Sequence, residues 1–217
     1  MKIKALIVMT MTAAALLLPS CGKQPDKTSD ANVNEPVEFG ANITVSDSYA
    51  FRENDGRLYL WDLKTNSYEI FCTQPDCKHQ TAAENADTKC SAVAPKEGYF
   101  YNYAFLYNDT LYSICTGELN EFLIYTADTD GMNRKLAFTA ELSLCTMVNP
   151  VLDGGRLFFV GSEFEMNDTD RVGLRENYSL CSVDLSDFSF EKYMDIGTAN
   201  ETVIGKKSLL LYKNKIY

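Results

Sequence analysis

Histidine is almost absent from this sequence, since His79 is the only one among 217 residues. A Ser-His-Asp triad would have to use it, yet it stands in a cysteine-rich stretch far from any Gly-x-Ser-x-Gly elbow. A glycine-rich loop that could cradle phosphate groups is missing as well. The sequence therefore shows no catalytic constellation, and we predict that the chain is not an enzyme.

Basic residues are also few. The chain has 20 lysines and arginines against 30 aspartates and glutamates, which gives a formal net charge of −10 at pH 7. An acidic surface repels phosphate backbones, so we exclude nucleic acid as a partner. The same charge would keep the folded part away from an anionic membrane surface.

Long apolar runs are scarce, and the one at Ala5–Leu18 is too short to span a bilayer permanently. It follows two lysines and is typical of the h-region of an export signal. The letters LPSC, which end at Cys21, resemble the bacterial lipobox. This resemblance implies that 1–21 is a lipoprotein signal peptide and that Cys21 carries the lipid anchor on the outer face of the bacterial cell membrane. The alternative is an ordinary secretory signal with a chance cysteine.

The stretch after the lipobox has almost no large apolar residue. Residues 22–40 cannot bury enough surface to fold, and we predict a disordered tether there. The remaining part, residues 41–217, is long enough for one core of ordinary size.

Helical periodicity is missing from Ile43 onward. Aromatic and β-branched residues alternate with polar ones, and turn residues recur at short intervals. With 13 tyrosines and 12 phenylalanines, this composition predicts an all-β fold.

Similar short turn sequences recur along the chain at intervals of roughly fifty residues, a spacing typical of propeller blades. We predict a β-propeller-like array of four-stranded antiparallel blades, with a β-sandwich as the alternative. Because the sequence stops in the middle of the next expected strand, we expect the array to be partial and the chain truncated at its C-terminus. These turn sequences lie at Asp55-Gly56, Asn108-Asp109, Gly154-Gly155 and Lys213-Asn214.

Two of the predicted blades can be divided into strands. The third blade carries an acidic insertion at residues 163–177, which we predict to be a solvated loop. The predicted strands of the second blade are 99–107, 110–116, 122–128 and 134–139, and those of the third are 146–152, 156–162, 178–185 and 188–194.

Two segments resemble the blade signature of TolB-like propellers: FLIYTADTDGMNRKLAF (Phe122–Phe138) and RLYLWDLKTNSYEIF (Arg57–Phe71). Together with the lipobox, the tether and a Cys/His-rich insertion, they resemble uncharacterised β-propeller lipoproteins of Gram-positive anaerobic bacteria. The resemblance implies a lipid-anchored extracytoplasmic module that binds or scaffolds at the cell envelope. Its ligand would be an envelope protein, a peptide or a glycan. The alternative is the non-catalytic propeller portion of a secreted or membrane-anchored peptidase or hydrolase.

The insertion at residues 72–92 holds Cys72, Cys77, His79 and Cys90. Three thiolates and one imidazole make a complete tetrahedral shell for a structural Zn²⁺. The spacing departs from the familiar C-x2-C knuckle, and exported proteins often form disulfides. A zinc site, a disulfide with one spare thiol, and no bond at all therefore stay open.

Two further features have simpler interpretations. Cys115, Cys145 and Cys181 belong to predicted strands, with Cys145 opening one, and we expect them to be buried small hydrophobic residues. Asp128–Asn133 contains two carboxylates, but Met132 falls where a calcium loop needs an oxygen ligand. We predict a hairpin turn at that position.

Overall fold

The computed structural model describes residues 37–117, 120–146, 148–166, 174–198, 211–212 and 215–216. Cys21 and the predicted signal peptide lie outside these residues, as do most of the predicted tether and the turn at Lys213-Asn214. Within the described part, no helix is both long enough and apolar enough to cross a membrane.

The all-β prediction is confirmed. The described residues form sixteen strands and a single 3₁₀ turn at Ala82–Glu84. The strands are β1 Glu38–Gly40, β2 Ile43–Val45, β3 Tyr49–Asn54, β4 Arg57–Asp62, β5 Ser67–Ile70, β6 Phe100–Tyr107, β7 Thr110–Thr116, β8 Phe122–Ala127, β9 Lys135–Ala140, β10 Ser143–Leu144, β11 Val151–Asp153, β12 Arg156–Met166, β13 Leu174–Asp184, β14 Phe190–Thr198, β15 Leu211–Tyr212 and β16 Lys215–Ile216.

All strand pairs are antiparallel, and they join neighbours in sequence except for β10, which pairs with β12. The first sheet has the order β1-β2-β3-β4-β5, and the second has the order β6-β7-β8-β9. The third has the order β10-β12-β13-β14, with β11 also paired to β12, and β15 and β16 form a separate hairpin. Each sheet is therefore a meander, and none of them closes on itself.

Three of the recurring turn sequences form two-residue hairpin turns. Both central residues have positive φ at Asp55-Gly56 (51° and 73°), at Asn108-Asp109 (48° and 54°) and at Gly154-Gly155 (54° and 84°). This is the type I′ pattern, whose twist matches that of the flanking strands. Asn, Asp and Gly adopt positive φ more readily than other residues, so the sequence determines these hairpins locally.

Strands β6 to β8 of the second sheet are mostly buried on both faces because their side chains alternate between two cores. Leu111, Cys115 and Leu123 pack with residues of the first sheet, whereas Ile114 and Phe122 pack with residues of the third. Three sheets are thus stacked in chain order, as consecutive propeller blades are. The fold is a β-propeller-like array of antiparallel sheets with four or five strands each.

Strand β1 falls inside the range assigned to the tether. Phe39 makes edge contacts with the rings of Tyr103 and Phe105 at 5.3 and 5.4 Å between ring centroids. The Phe39 ring and the pairing of β1 with β2 therefore join residues 38–40 to the fold, although the surrounding composition is polar.

The acidic insertion at residues 163–177 was predicted to be a loop, which is wrong for residues 163–166 and 174–177; residues 167–173 lie outside the described part of the chain. Strand β12 continues through Met166, and β13 begins at Leu174, with paired residues throughout this extension. The side chain of Asn120 accepts a hydrogen bond from the Phe164 amide (2.7 Å) and donates one to the Phe164 carbonyl (3.1 Å). This contact from the second sheet supports a hairpin that its polar composition did not indicate.

Candidate metal centre

The candidate site lies in the segment that connects β5 of the first sheet to β6 of the second. The segment has little regular structure, and Asp76, His79 and Asn85 have φ angles of 58°, 52° and 73°. These positive φ angles reverse the chain direction repeatedly, so residues that are far apart in sequence return to the same place.

The structure brings together all four predicted ligands. One potential ligand atom from each of Cys72, Cys77, His79 and Cys90 lies within 4.8 Å of the others. His79 Nδ1 is 3.2 Å from Cys90 Sγ. In a zinc tetrahedron with bonds of about 2.3 Å, sulfur atoms stand ~3.8 Å apart, so small side-chain rotations would close the shell.

All six cysteines among the described residues are free thiols. The Cys77 thiol donates a hydrogen bond to Asp87 Oδ2 at 3.0 Å. Metal binding would replace this bond, because a metal takes the thiolate form of cysteine.

Cys72, Cys77 and His79 are half-buried, and the side of the site next to Cys90 is closed to solvent. Cys90 is fully buried and packs with Ala92 and Val93, and Cys72 and Cys77 lie against the same small apolar cluster. Burial raises the pKa of the Cys90 thiol strongly. Burial and the hydrogen bond to Asp87 raise the pKa of Cys77. A bound cation would reverse this preference by stabilising the thiolates.

The pKa of His79 is lowered, first by burial and then by the nearby Arg57 guanidinium. A lowered pKa keeps the imidazole neutral, and the neutral form is the one that binds metals. Three thiolates around a divalent cation leave a net charge of −1, which a nearby guanidinium offsets.

Hydrogen bonds outside the ligand set fix the shape of the segment. Arg57 Nε donates to the His79 carbonyl at 2.9 Å, and the same guanidinium pairs with Glu84. Thr81 and Glu84 form a capping box around the 3₁₀ turn. Gln74 Nε2 donates to the Lys89 carbonyl at 2.7 Å and joins the two halves of the segment. The ligands are therefore held by contacts that do not depend on a metal.

The remaining cysteines behave as small apolar residues. Cys115 in β7 and Cys181 in β13 are fully buried in the cores between sheets. Cys145 is also buried but follows β10 instead of opening a strand.

The Asp128–Asn133 segment connects β8 to β9, as predicted for a hairpin turn. The Asp128 amide donates to the Met132 carbonyl (2.9 Å), and the Asn133 side chain donates to the Asp128 carboxylate (2.6 Å).

A second surface was missed by the sequence analysis. A cavity of about 300 Å³ lies on the face of the first sheet that points away from the second, and its wall includes Arg52, Trp61 and Tyr68. Trp61 Nε1 donates to Asn66 Oδ1 at 3.2 Å, and Tyr59 stacks on Tyr68 at 5.1 Å. Ala50 and Arg52 of β3 both line this wall, so the period of two along the strand was the available signal.

Comparison with known proteins identifies no relative by sequence: no family model and no curated protein matches the chain. Among solved structures, the chain is similar to an oligogalacturonate lyase in complex with manganese, with 11% identity and a TM-score of 0.33. The alignment covers 80% of this chain and 53% of the other, so the chain spans about half the length of that structure. The resemblance to TolB-like lipoproteins stays a prediction.

Proposed function

We propose that this protein is a lipid-anchored, extracytoplasmic β-propeller-like module that binds a ligand at the cell envelope, and that a structural Zn²⁺ holds its connecting segment. The convergence of Cys72, Cys77, His79 and Cys90 is the observation that supports the zinc site. Four protein ligands fill a tetrahedral shell and leave no open position for water or substrate. A metal held in this way maintains a structure and does not take part in catalysis.

The ligand set favours zinc over harder cations. Thiolate and imidazole groups suit Zn²⁺, whereas Mg²⁺ and Ca²⁺ prefer oxygen ligands. The three cysteines and the histidine are held on a segment that has few other apolar anchors. An ion at this site would therefore add to the small apolar cluster around Cys90.

The cavity on the outer face of the first sheet supplies a surface for recognition. Trp61 and Tyr68 are 40% and 49% exposed, so both rings are accessible to a ligand at the cavity. Their rings are flat apolar platforms, and Arg52 and Asn66 add hydrogen-bonding groups to the same wall. Apolar rings beside a few polar groups fit a sugar ring, so we propose an envelope glycan as the ligand.

A retention assay tests the binding role. Purified Cys21→Ala protein is incubated with cell-wall polysaccharide and, separately, with solubilised envelope proteins. We expect retention on the polysaccharide and loss of that retention in Trp61→Ala. The control is Phe190→Ala, which removes a ring with the same 40% exposure from the third sheet and should leave retention unchanged. Retention only by envelope proteins would assign a scaffolding role and reject the glycan.

The anchor has its own test. Radiolabelled palmitate should be incorporated into the wild-type chain in a bacterial host and not into Cys21→Ala, which should appear in the medium. Release of the wild-type protein into the medium without label would reject lipid anchoring.

A further inference from the structure

We infer that the metal ion clamps the first sheet to the second, with Arg134 of the second sheet as a positioning residue for the metal site. This inference rests on the zinc site proposed above. It concerns Thr88–Val93, the part of the connecting segment that returns to the sheets after the loop.

This stretch is bound to the first sheet by main-chain hydrogen bonds. The Leu58 amide of β4 donates to the Ala92 carbonyl at 2.7 Å, and Arg57 and Val93 form an antiparallel bridge. Because Tyr59 pairs with Ile70, Val93 takes the place opposite Arg57 that a continuation of β5 would have occupied.

The same stretch is bound to the second sheet by side chains. Arg134, which precedes β9, donates to the Val93 carbonyl at 2.8 Å and also to the Thr88 carbonyl and the Tyr101 hydroxyl oxygen. The buried Tyr101 hydroxyl lies 2.9 Å from the Ser91 carbonyl and 3.1 Å from the Val93 carbonyl. Carbonyl groups before and after Cys90 in the sequence therefore accept hydrogen bonds from side chains of the second sheet.

A glycine brings the second sheet closer still. Gly131 in the β8–β9 turn has φ +82°, and a Cβ atom built there would lie 2.5 Å from Ser91 Cβ and 2.7 Å from the Phe71 ring. Phe71 and Ser91 each adjoin a ligand cysteine, Cys72 and Cys90. The β8–β9 turn therefore packs closely against both chain segments that lead to the ligand cysteines.

A metal bound by Cys72 and Cys90 joins the end of β5 to the stretch that Arg134 holds. Docking of the sheets arranges the ligands, and the ligated metal in turn fixes the docked position. Such coupling is reciprocal. If metal binding stabilises the contact between the two sheets by a given factor, then loss of that contact weakens metal binding by the same factor. Arg134 acts in this way without contacting a ligand atom.

Zinc affinity, measured by competition with a chromogenic chelator on the purified protein, tests the coupling. We expect one equivalent of Zn²⁺ in the wild type and in Arg134→Gln, with about tenfold weaker affinity in the variant. Arg156→Gln, which removes an arginine of the third sheet that pairs with Asp184 and Glu191, should keep the wild-type affinity. Gly131→Ala and Gly98→Ala form a second pair: their φ angles are +82° and +80°, but nothing lies within 4 Å of a Cβ atom at Gly98. Only Gly131→Ala should weaken zinc binding.

Hydrogen exchange of the wild type provides a readout that needs no variant. Removing zinc with a chelator should increase amide exchange in Phe100–Tyr107 as well as in residues 72–92, and should leave Phe190–Thr198 of the third sheet unchanged. Wild-type affinity in Arg134→Gln, or exchange that changes only within residues 72–92, would overturn the clamp while leaving the zinc site intact. Absence of zinc binding in the wild type would reject the zinc site and the clamp together.

Discussion

The Tyr49 hydroxyl group binds both polar atoms of the Leu106 backbone, 57 residues further along the chain. It donates to the carbonyl at 3.2 Å and accepts from the amide at 2.9 Å. Tyr49 begins β3 of the first sheet and Leu106 lies near the end of β6 in the second. This pair joins the two sheets at a point separate from the metal segment.

Tyr49→Phe removes both hydrogen bonds and leaves the ring in place. We expect a loss of about 1–3 kcal/mol in the free energy of unfolding, because a partly buried amide and carbonyl lose their partner. Guanidinium unfolding curves followed by fluorescence measure this loss. Tyr68→Phe, at an exposed position, should change stability by less than about 0.5 kcal/mol. Equal effects of the two substitutions would contradict the role of the Tyr49–Leu106 contact.

The hairpins were the most predictable part of the fold. The turns at Asp55-Gly56, Asn108-Asp109 and Gly154-Gly155 depend on residues that adopt positive φ, which is a local property of the sequence. Of the predicted strand at residues 146–152, only the end is observed, as β11 at Val151–Asp153, which begins directly after Pro150 and breaks the ladder between β10 and β11. Proline lacks the amide hydrogen that a continuous ladder requires, so this break could have been predicted.

The convergence of the metal ligands could not have been predicted in the same way. Spacing alone left a zinc site, a disulfide and separate thiols open. The four side chains meet because Val93 returns to the edge of β4 and Arg57 holds the His79 carbonyl. Both contacts join residues more than twenty positions apart, and no local pattern specifies them.

Phe39→Ala tests whether β1 belongs to the folded domain. The Phe39 ring packs against two aromatic rings of the second sheet, so its loss should destabilise the fold by about 1–3 kcal/mol. Urea unfolding of the variant measures the effect. A free energy of unfolding equal to that of the wild type would return residues 38–40 to the tether.

The unfolding free energy should depend on pH through a buried thiol. Burial raises the pKa of Cys115 from 9.0 to about 12. The neutral thiol is therefore favoured in the folded state. Its contribution to stability is complete below pH 9 and is lost as the pH rises towards 12, by up to about a factor of ten in the unfolding constant per pH unit.

Denaturant midpoints at pH 8, 9, 10 and 11 measure this dependence in the zinc-loaded protein. Cys115→Ala should lose stability less steeply than the wild type above pH 9. The slopes are compared, so the cavity that the substitution creates does not affect the conclusion. Parallel slopes in the two proteins would contradict the assignment to Cys115.

The cysteines should separate into ligands and core residues. Cys90→Ser should abolish stoichiometric zinc binding, because it removes a ligand from the most buried corner of the site. Cys145→Ala removes a buried thiol outside the site and should retain one equivalent. Zinc retained at one equivalent by Cys90→Ser would show that the four residues do not form the shell.

The most direct test of the metal centre is the zinc content of the purified wild-type protein, measured together with its thiol count before and after chelation. We expect one zinc per chain, three thiols protected from alkylation while the metal is bound, and release of those thiols by the chelator. A protein that contains no zinc and instead has a disulfide among Cys72, Cys77 and Cys90 would rule out the metal centre.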